Sequence, residues 1–222
     1  MSVPASRIAR LNDAPANAGG HYVLYWMIAA RRLHFNFALD HALDLARELE
    51  RPLLVLEALR VGYAWASERI HSFVLEGMRD NSASCKKSHV HYYPYVEAKA
   101  GAGAGLLAAL SEHACAVVTD DSPAFFLPRM RARAVAAVAV RFEAVDGNGL
   151  LPLSYAEGKS FVTAYSFRRF MQKNVDRALA DLPSPAPLRR KLPKLSYALR
   201  TIEKRYPRAE FDDLPALVRS LP

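Results

Sequence analysis

Apolar positions in this chain fall into short unbroken runs, each followed by a longer stretch with helical spacing. Residues 22–27, "YVLYWM", form the first run, and from Phe37 to Leu49 the positions Leu39, Ala42, Leu43 and Ala46 recur on one predicted helix face. The next run, "PLLVLEAL" (52–59), reads as a strand covered on both faces, and Trp65 to Cys85 places Ile70, Phe73, Val74 and Met78 together on a second helix. "VHYYPYV" (90–96) has strand composition, but Pro94 lacks the N–H a ladder needs, so an edge position is predicted. After "GLLAALSEH" (105–113), a helix, comes "CAVVTDD" (115–121), a buried strand ending in two carboxylates. Pro123 opens another helix, and "AVAVRFEAV" (137–145) is the fifth strand, closed by the turn Asp146-Gly147-Asn148-Gly149. Strands alternating with helices predict an α/β fold, a doubly wound, five-stranded parallel sheet of Rossmann-like type.

Beyond about Leu153 the alternation stops. "SFRRFMQKNVDRAL" (166–179) is one basic amphipathic helix, "PSPAP" (183–187) breaks the chain, and the rest reads as linker and short helix. The predicted organisation is an N-terminal arm over 1–20, an α/β domain over 21–153 and a basic helical C-terminal connector over 154–222.

Composition changes this picture little. Of the 222 residues 51% are hydrophobic and 23% charged, an ordinary globular balance. The net charge of +8 makes a polyanionic partner reasonable, and "PLRRKLPKLSYALRTIEKRYPR" (187–208) concentrates it, with Glu203 its one acidic residue. Cys85 and Cys115 lie inside apolar segments, which predicts buried free thiols in a reducing compartment and hence a cytoplasmic protein. The first 20 residues hold no signal-like apolar core, and no run approaches the roughly 20 apolar residues that cross a bilayer, so no membrane partner is expected.

In an open α/β sheet ligands bind beyond the carboxyl ends of the strands, where strand order reverses. Three polar stretches fall there: Met27 to Asn36, Glu57 to Arg60, and "TDDSP" (119–123). Any one polar residue among them is accounted for by a helix cap or a solvated side chain; their convergence on one crevice is what suggests a site. "GAGAG" (101–105) is not a dinucleotide fingerprint, because Leu106 stands where a third small residue is needed and the run follows the edge strand, so it reads as a flexible helix entry. His89 and His91 share a strand face without a third ligand nearby, so no metal is expected. Nucleophile-elbow, zinc-protease and P-loop patterns are absent, and no catalytic residue is assigned.

Several stretches, taken in order, resemble the DNA photolyase and cryptochrome family, and most closely its class II cyclobutane pyrimidine dimer photolyases. They are "RLN" (10–12), "YVLYWM" (22–27) with an arginine in the loop after it, "NFAL" (36–39), "RIHSFVLEGM" (69–78), "VVTDDSP" (117–123) and "TAYSFRRFMQKNVDRALADLPSPAPL" (163–188); the likeness runs over about residues 7–190. It implies an α/β domain that in many members holds an antenna chromophore, a deazaflavin, FMN or folate. It also implies a helical domain that binds FAD and splits pyrimidine dimers in DNA by light-driven electron transfer, a carbon–carbon lyase activity. The chain ends at Pro222, near where that helical domain begins in the family, so FAD is not expected to bind this chain alone. The helical domain, in cis or in trans, becomes the expected partner, with DNA a partner of the full-length family.

On this reading Trp26, Met27, Arg31, Arg32, Asn36, Asp120 and Asp121 line the antenna crevice, while Arg168, Arg169, Lys173, Arg189 and Arg190 face nucleic acid or the other domain. Asn36 is expected to cap the first helix, its loss costing about 1 kcal/mol, and Arg31 or Arg32 to face a ligand. Trp26 and Trp65 are assigned to core packing. The alternative is a stand-alone nucleotide-binding α/β module that regulates or recruits through its basic tail.

Overall fold

The structure is a computed structural model that describes residues 2–222. Its centre is a six-stranded sheet in the order β1-β6-β5-β2-β3-β4. Five strands, β2 (Tyr22–Met27), β3 (Leu53–Leu59), β4 (Val90–Val96), β5 (Ala114–Asp121) and β6 (Arg141–Asp146), run parallel as the alternation predicts. The sixth, β1 (Ile8–Arg10), comes from the predicted arm and pairs antiparallel with β6. A strand of 3 residues is too short to show a period; the open edge of β6 recruits it. The fifth parallel strand starts at Arg141 and not at 137, because Asn12 Nδ2 donates to the carbonyls of Val138 and Val140 and holds that approach as a loop.

Reversal of strand order between β2 and β5 puts helices on both faces. Val23, Tyr25 and Met27 point to the face packed by α1 (Phe37–Glu48); Tyr22, Leu24 and Trp26 point to the face packed by α3 (Leu106–Ser111) and α4 (Leu127–Val135). At the entry to β2 a Cβ on Gly20 would strike the Ala114–Cys115 peptide, so only glycine lets β2 and β5 meet there.

Helix α2 (Glu68–Cys85) is turned from its predicted face. Ile70 and Phe73 are exposed, whereas His71, Leu75, Met78, Asn81 and Cys85 are buried. Apolar residues occur on two sides of this helix, and the side that wins meets Leu59 together with Leu214 and Val218 of α7 (Leu214–Arg219). Trp65 precedes the helix on a loop and is 63% exposed, which removes it from the core.

Edge strand β4 is covered by the segment beyond the prolines. The N–H of Ala209 donates to the Pro94 carbonyl, Arg208 donates to the Tyr92 carbonyl, and the N–H of Leu195 donates to His91 Nε2 at 3.0 Å. His89 and His91, read as a bare histidine pair, thus bond to the tail; burial, with Arg208 and His89 nearby, lowers the His91 pKa and keeps it the acceptor that Leu195 needs. Leu192, Leu199, Ile202 and Tyr206 of this same stretch are buried, so it carries packed apolar neighbours as well as basic charge. Such cover blunts the exposed ladder that makes sheet edges prone to association.

Candidate functional site

The chain leaves β2 at the switch point and must turn before α1. Three consecutive N–H groups of that turn, on Ile28, Ala29 and Ala30, converge on one oxygen of Asp120 at 2.8, 2.7 and 3.2 Å, while its other oxygen accepts the Tyr25 hydroxyl at 2.8 Å. Asp120 is 3% exposed. Burial beside this carboxylate holds the Tyr25 hydroxyl pKa well above its ordinary value, so Tyr25 stays a donor. In a dinucleotide-binding fold the first strand-to-helix turn offers such amides to phosphate; here a carboxylate of the chain itself takes them.

Asn36 caps α1, its Oδ1 accepting the Leu39 N–H at 3.1 Å. Its Nδ2 is equally engaged, donating to the Ala30 and Arg32 carbonyls and to the Tyr25 hydroxyl. The cap reading therefore holds and is incomplete. Asn36→Ala is expected to cost about 2–3 kcal/mol, since buried acceptors are left unpaired in addition to the lost cap. Asn36→Asp, normally an equal cap, is expected to cost as much, because it aims an acceptor at two carbonyls. Arg32 is exposed and bonds only the Phe35 carbonyl, so Arg32→Ala should leave the denaturant midpoint nearly unchanged, within about 0.5 kcal/mol.

A second buried carboxylate, Glu57 in β3, is 1% exposed. It accepts Arg31 Nη1 at 3.1 Å, Asn81 Nδ2 at 2.9 Å and the Tyr92 hydroxyl at 2.7 Å, and Arg31 also donates to the Ala58 carbonyl. Burial, with Glu57 close by, pushes the Cys85 thiol up to about 12, so this cysteine is an inert filler of the core. A third, Glu97, accepts the N–H groups of Val61 and Gly103 and ties the loops after β3 and β4 together.

These tied loops frame a cavity of about 670 Å³ above the carboxyl ends of β2, β3 and β4, between α3 and α4. Trp26, Ile28, Leu56 and Tyr95 form its floor, and Leu106, Met130 and Ala134 belong to its walls. Its cations are Arg31, Arg60 and Arg133. The glycine run makes the room: a Cβ on Gly103 would come within 2.9 Å of the Tyr95 ring, and one on Gly105, at φ +89°, within 2.9 Å of the Tyr206 hydroxyl. Its amides are spent on the chain, Gly103 donating to Glu97, Ala102 to Lys99 and Ala104 to Gly101, as a helix entry and not as a phosphate cradle.

The residues predicted for the crevice are thereby sorted. Trp26 and Arg31 line the cavity. Met27 is fully buried on the opposite face of the sheet, Asn36 and Asp120 serve the turn, Arg32 bonds its own loop, and Asp121 pairs with Arg131 at 2.6 Å. Sequence reasoning named Arg60 only as the end of the stretch Glu57 to Arg60 and did not single out Tyr63, Glu97, Phe125, Phe126 or Arg133; the six border the space from four segments, the loop after β3, the end of β4, the loop before α4 and α4 itself. Glu97 carried a readable signal, a lone carboxylate closing a β-rich run, since a charge in such a place must find partners.

Of the five basic residues assigned to the outer surface, Arg168, Arg169 and Lys173 are exposed along α5 (Ala164–Leu179), and Arg189 is exposed beyond it. Arg190 is committed inward, pairing with Asp40 at 2.8 Å and Asp44 at 2.9 Å and pinning the tail to α1. Burial raises the Asp40 pKa in spite of the Ser184 N–H and Arg190 that favour its charged form. No cluster of three or more metal-ligating side chains occurs among the described residues.

Residues 23–187 match the family model for DNA photolyase. The chain is 27% identical over 180 residues to a deoxyribodipyrimidine photo-lyase of Methanothermobacter thermautotrophicus, covering 81% of this chain and 40% of that protein. It is 30% identical over 187 residues to the enzyme of the same name from Oryza sativa subsp. japonica, 80% of this chain and 36% of that one, and 27% over 172 residues to that of Arabidopsis thaliana, 76% and 34%. The chain thus spans between 34% and 40% of the length of these curated relatives.

Proposed function

The chain belongs to the DNA photolyase family, and on that premise we propose that it is the light-harvesting α/β domain of a photolyase-type DNA-repair flavoprotein. In this reading the cavity between α3 and α4 seats the antenna chromophore, a deazaflavin, FMN or folate. Residues 154–222 connect to a helical FAD-binding domain, joined in cis or supplied in trans, which carries the dimer-splitting chemistry and the DNA contact. The antenna's part is to absorb light and pass the excitation on.

One observation carries the proposal: a cavity of about 670 Å³ at the switch point, with an indole and a phenol ring in its floor and three guanidinium groups around it. That volume lies within the roughly 300–1,000 Å³ of small-molecule sites. Apolar walls suit a flat conjugated ring, and guanidinium groups suit an anionic tail. The Asp120 carboxylate, seated on the amides of residues 28–30, argues against a dinucleotide lying across the first turn in the usual way. Exposed Arg168, Arg169 and Lys173 on α5 are free for phosphate or for the partner domain, whereas Arg190 is held by Asp40 and Asp44.

Titrating the purified chain with FMN, or with a deazaflavin, tests the seat. Trp26 lines the cavity, so binding at one per chain is expected to quench tryptophan emission. Ala108→Phe, which fills space from the α3 wall, should weaken binding by about tenfold or more, equivalent to ~1.4 kcal/mol, with the melting temperature unchanged. No binding at high micromolar flavin, or binding indifferent to Ala108→Phe, would sink the proposed seat.

A further inference from the structure

Between Leu192, buried on the α1 face of the sheet, and Leu199, buried on the α3 face, the chain crosses beneath the amino ends of the strands. Among the described residues this crossing makes no backbone–backbone hydrogen bond; four of the chain's 7 histidines hold it instead. His89, just before β4, bonds through Nδ1 to the Leu192 carbonyl at 3.0 Å, and His91, in β4, accepts the Leu195 N–H on Nε2 at 3.0 Å. The Tyr197 ring stacks on that of His21, just before β2, with centroids 4.2 Å apart, and meets the ring of His113, just before β5, at 4.9 Å. None of the four is ion-paired with a carboxylate among the described residues. The charged groups around them are mostly cations: Arg208, itself paired with Glu203, near His91; Lys194 next to Leu195; and Arg51, which donates to the Gly20 carbonyl, next to His21. Glu112, which precedes His113, is exposed.

We propose that this crossing is a pH-released latch: neutral His91 holds residues 193–198 to the amino end of the sheet, and its protonation frees them while Leu192 and Leu199 stay anchored. An imidazole that accepts at Nε2 carries no proton there; once protonated it turns a donor toward the Leu195 N–H, and the two cannot bond. His89 does not resist the change, since a donor at Nδ1 serves the Leu192 carbonyl in either charge state. His21 and His113 grip Tyr197 through their rings, a contact that needs no acceptor, so the acid response belongs to His91. Burial, with Arg208 and His89 nearby, lowers the His91 pKa, so the latched state takes up that proton less readily than the free one. The latch is therefore at full strength above the ordinary histidine pKa and weakens as pH falls through it. Release bares the first part of the β4 edge, His89 to His91, and slackens the tail, whereas Arg208 and Ala209 keep the later part covered. The latch lies at the opposite end of the sheet from the cavity and stands whether or not a chromophore is seated there.

Amide exchange read by NMR on the whole chain, corrected for the intrinsic pH dependence of exchange, tests the latch. Between about pH 7.5 and about pH 5.5 the protection of the Leu195 amide is expected to fall about tenfold, as for one histidine that must stay neutral. The Ala209 amide, bonded to the Pro94 carbonyl, and the amides of β2 and β5 should keep their protection over the same range. His91→Gln, whose carboxamide oxygen accepts at every pH, should hold the Leu195 amide protected at both ends of that range. Tyr197→Leu, which removes the ring contacts, should lower that protection at both ends alike and leave the pH response in place. Equal protection of Leu195 at the two pH values in wild type would overturn the latch, and a pH response that survives His91→Gln would remove its trigger. Loss of protection in β2 and β5 together with Leu195 would show acid unfolding of the domain in place of a local release. Should His91→Gln not fold, the ring resonances of wild-type His91 decide: titration below the ordinary histidine value, in step with exchange at Leu195, is expected, and titration above that value contradicts the proposal.

Discussion

Asp120→Ala is expected to lower the unfolding free energy by about 4 kcal/mol, read as a drop in the urea midpoint at unchanged slope. The carboxylate is 3% exposed and accepts four hydrogen bonds, three from consecutive amides and one from a buried phenol. Removing it strands those donors in a place that water reaches poorly, and each stranded donor costs roughly 1–3 kcal/mol. Set against the ~5–15 kcal/mol that holds a domain together, this change leaves the chain marginal. Asp120→Asn gives a milder test that stays folded. Its amide oxygen can still face the three amides, but its NH2 group cannot accept the Tyr25 hydroxyl, so the loss is charge assistance and that one hydrogen bond, about 2–3 kcal/mol. An Asp120→Ala variant within 1 kcal/mol of wild type would show that the turn after β2 is held by something else.

This same residue shows how far the sequence was legible. That "CAVVTDD" ends a buried strand in two carboxylates is visible in the letters, and so is its place at the ligand-binding end of the sheet. Which way each carboxylate points is not visible, because it depends on the turn of another segment, residues 28–30, and on Arg131 of α4. Asp120 and Asp121 therefore look like a ligand pair in the sequence and are a turn anchor and a helix tether in the fold. The five parallel strands were readable because a strand buried on both faces is apolar throughout, whatever lies beside it. The face of α2 was not, since apolar residues on both of its sides leave the choice to α7, more than a hundred residues downstream. The cavity's residues come from loops and helix faces that only the topology unites, and Trp65, which the sequence assigns to core packing, is exposed and meets Phe125 edge to face.

Asp120 also places the site. By occupying the amides after β2, it closes the position where this class of fold ordinarily receives phosphate. The open volume then lies on the α3/α4 face, and Arg60 after β3 and Arg133 of α4 join Arg31 of the first turn as the cations lining it. The glycine run, read in the sequence as a flexible helix entry, provides the space and not the contacts.

Glu57→Ala is expected to cost about 3 kcal/mol, less than Asp120→Ala because one of its partners reaches water. The Glu57 side chain is 1% exposed and that of Arg31 29% exposed, so the pair straddles the boundary between core and cavity. Losing the carboxylate strands the Tyr92 hydroxyl and the Asn81 amide in the core, while Arg31 is partly rehydrated. Glu57→Gln separates these effects. One end of the carboxamide can still accept from Tyr92 and Asn81, but the other end is an NH2 group turned toward a guanidinium, so about 2 kcal/mol is lost and Arg31 is released. Arg31→Met leaves Glu57 with its Tyr92 and Asn81 partners and should cost about 1–2 kcal/mol. Because Arg31 and Glu57 are in direct contact, the double variant Glu57→Gln with Arg31→Met should be more stable than the sum of the two single losses implies, by at least about 1 kcal/mol. Simple additivity would mean that the 3.1 Å pair contributes nothing. The pair also has a reading in ligand binding, since Arg31 lines the cavity only as far as Glu57 and the Ala58 carbonyl hold it there. A flavin that contacts only Arg60 and Arg133 should bind the Glu57→Gln variant as it binds wild type, whereas one that leans on Arg31 should bind it less tightly.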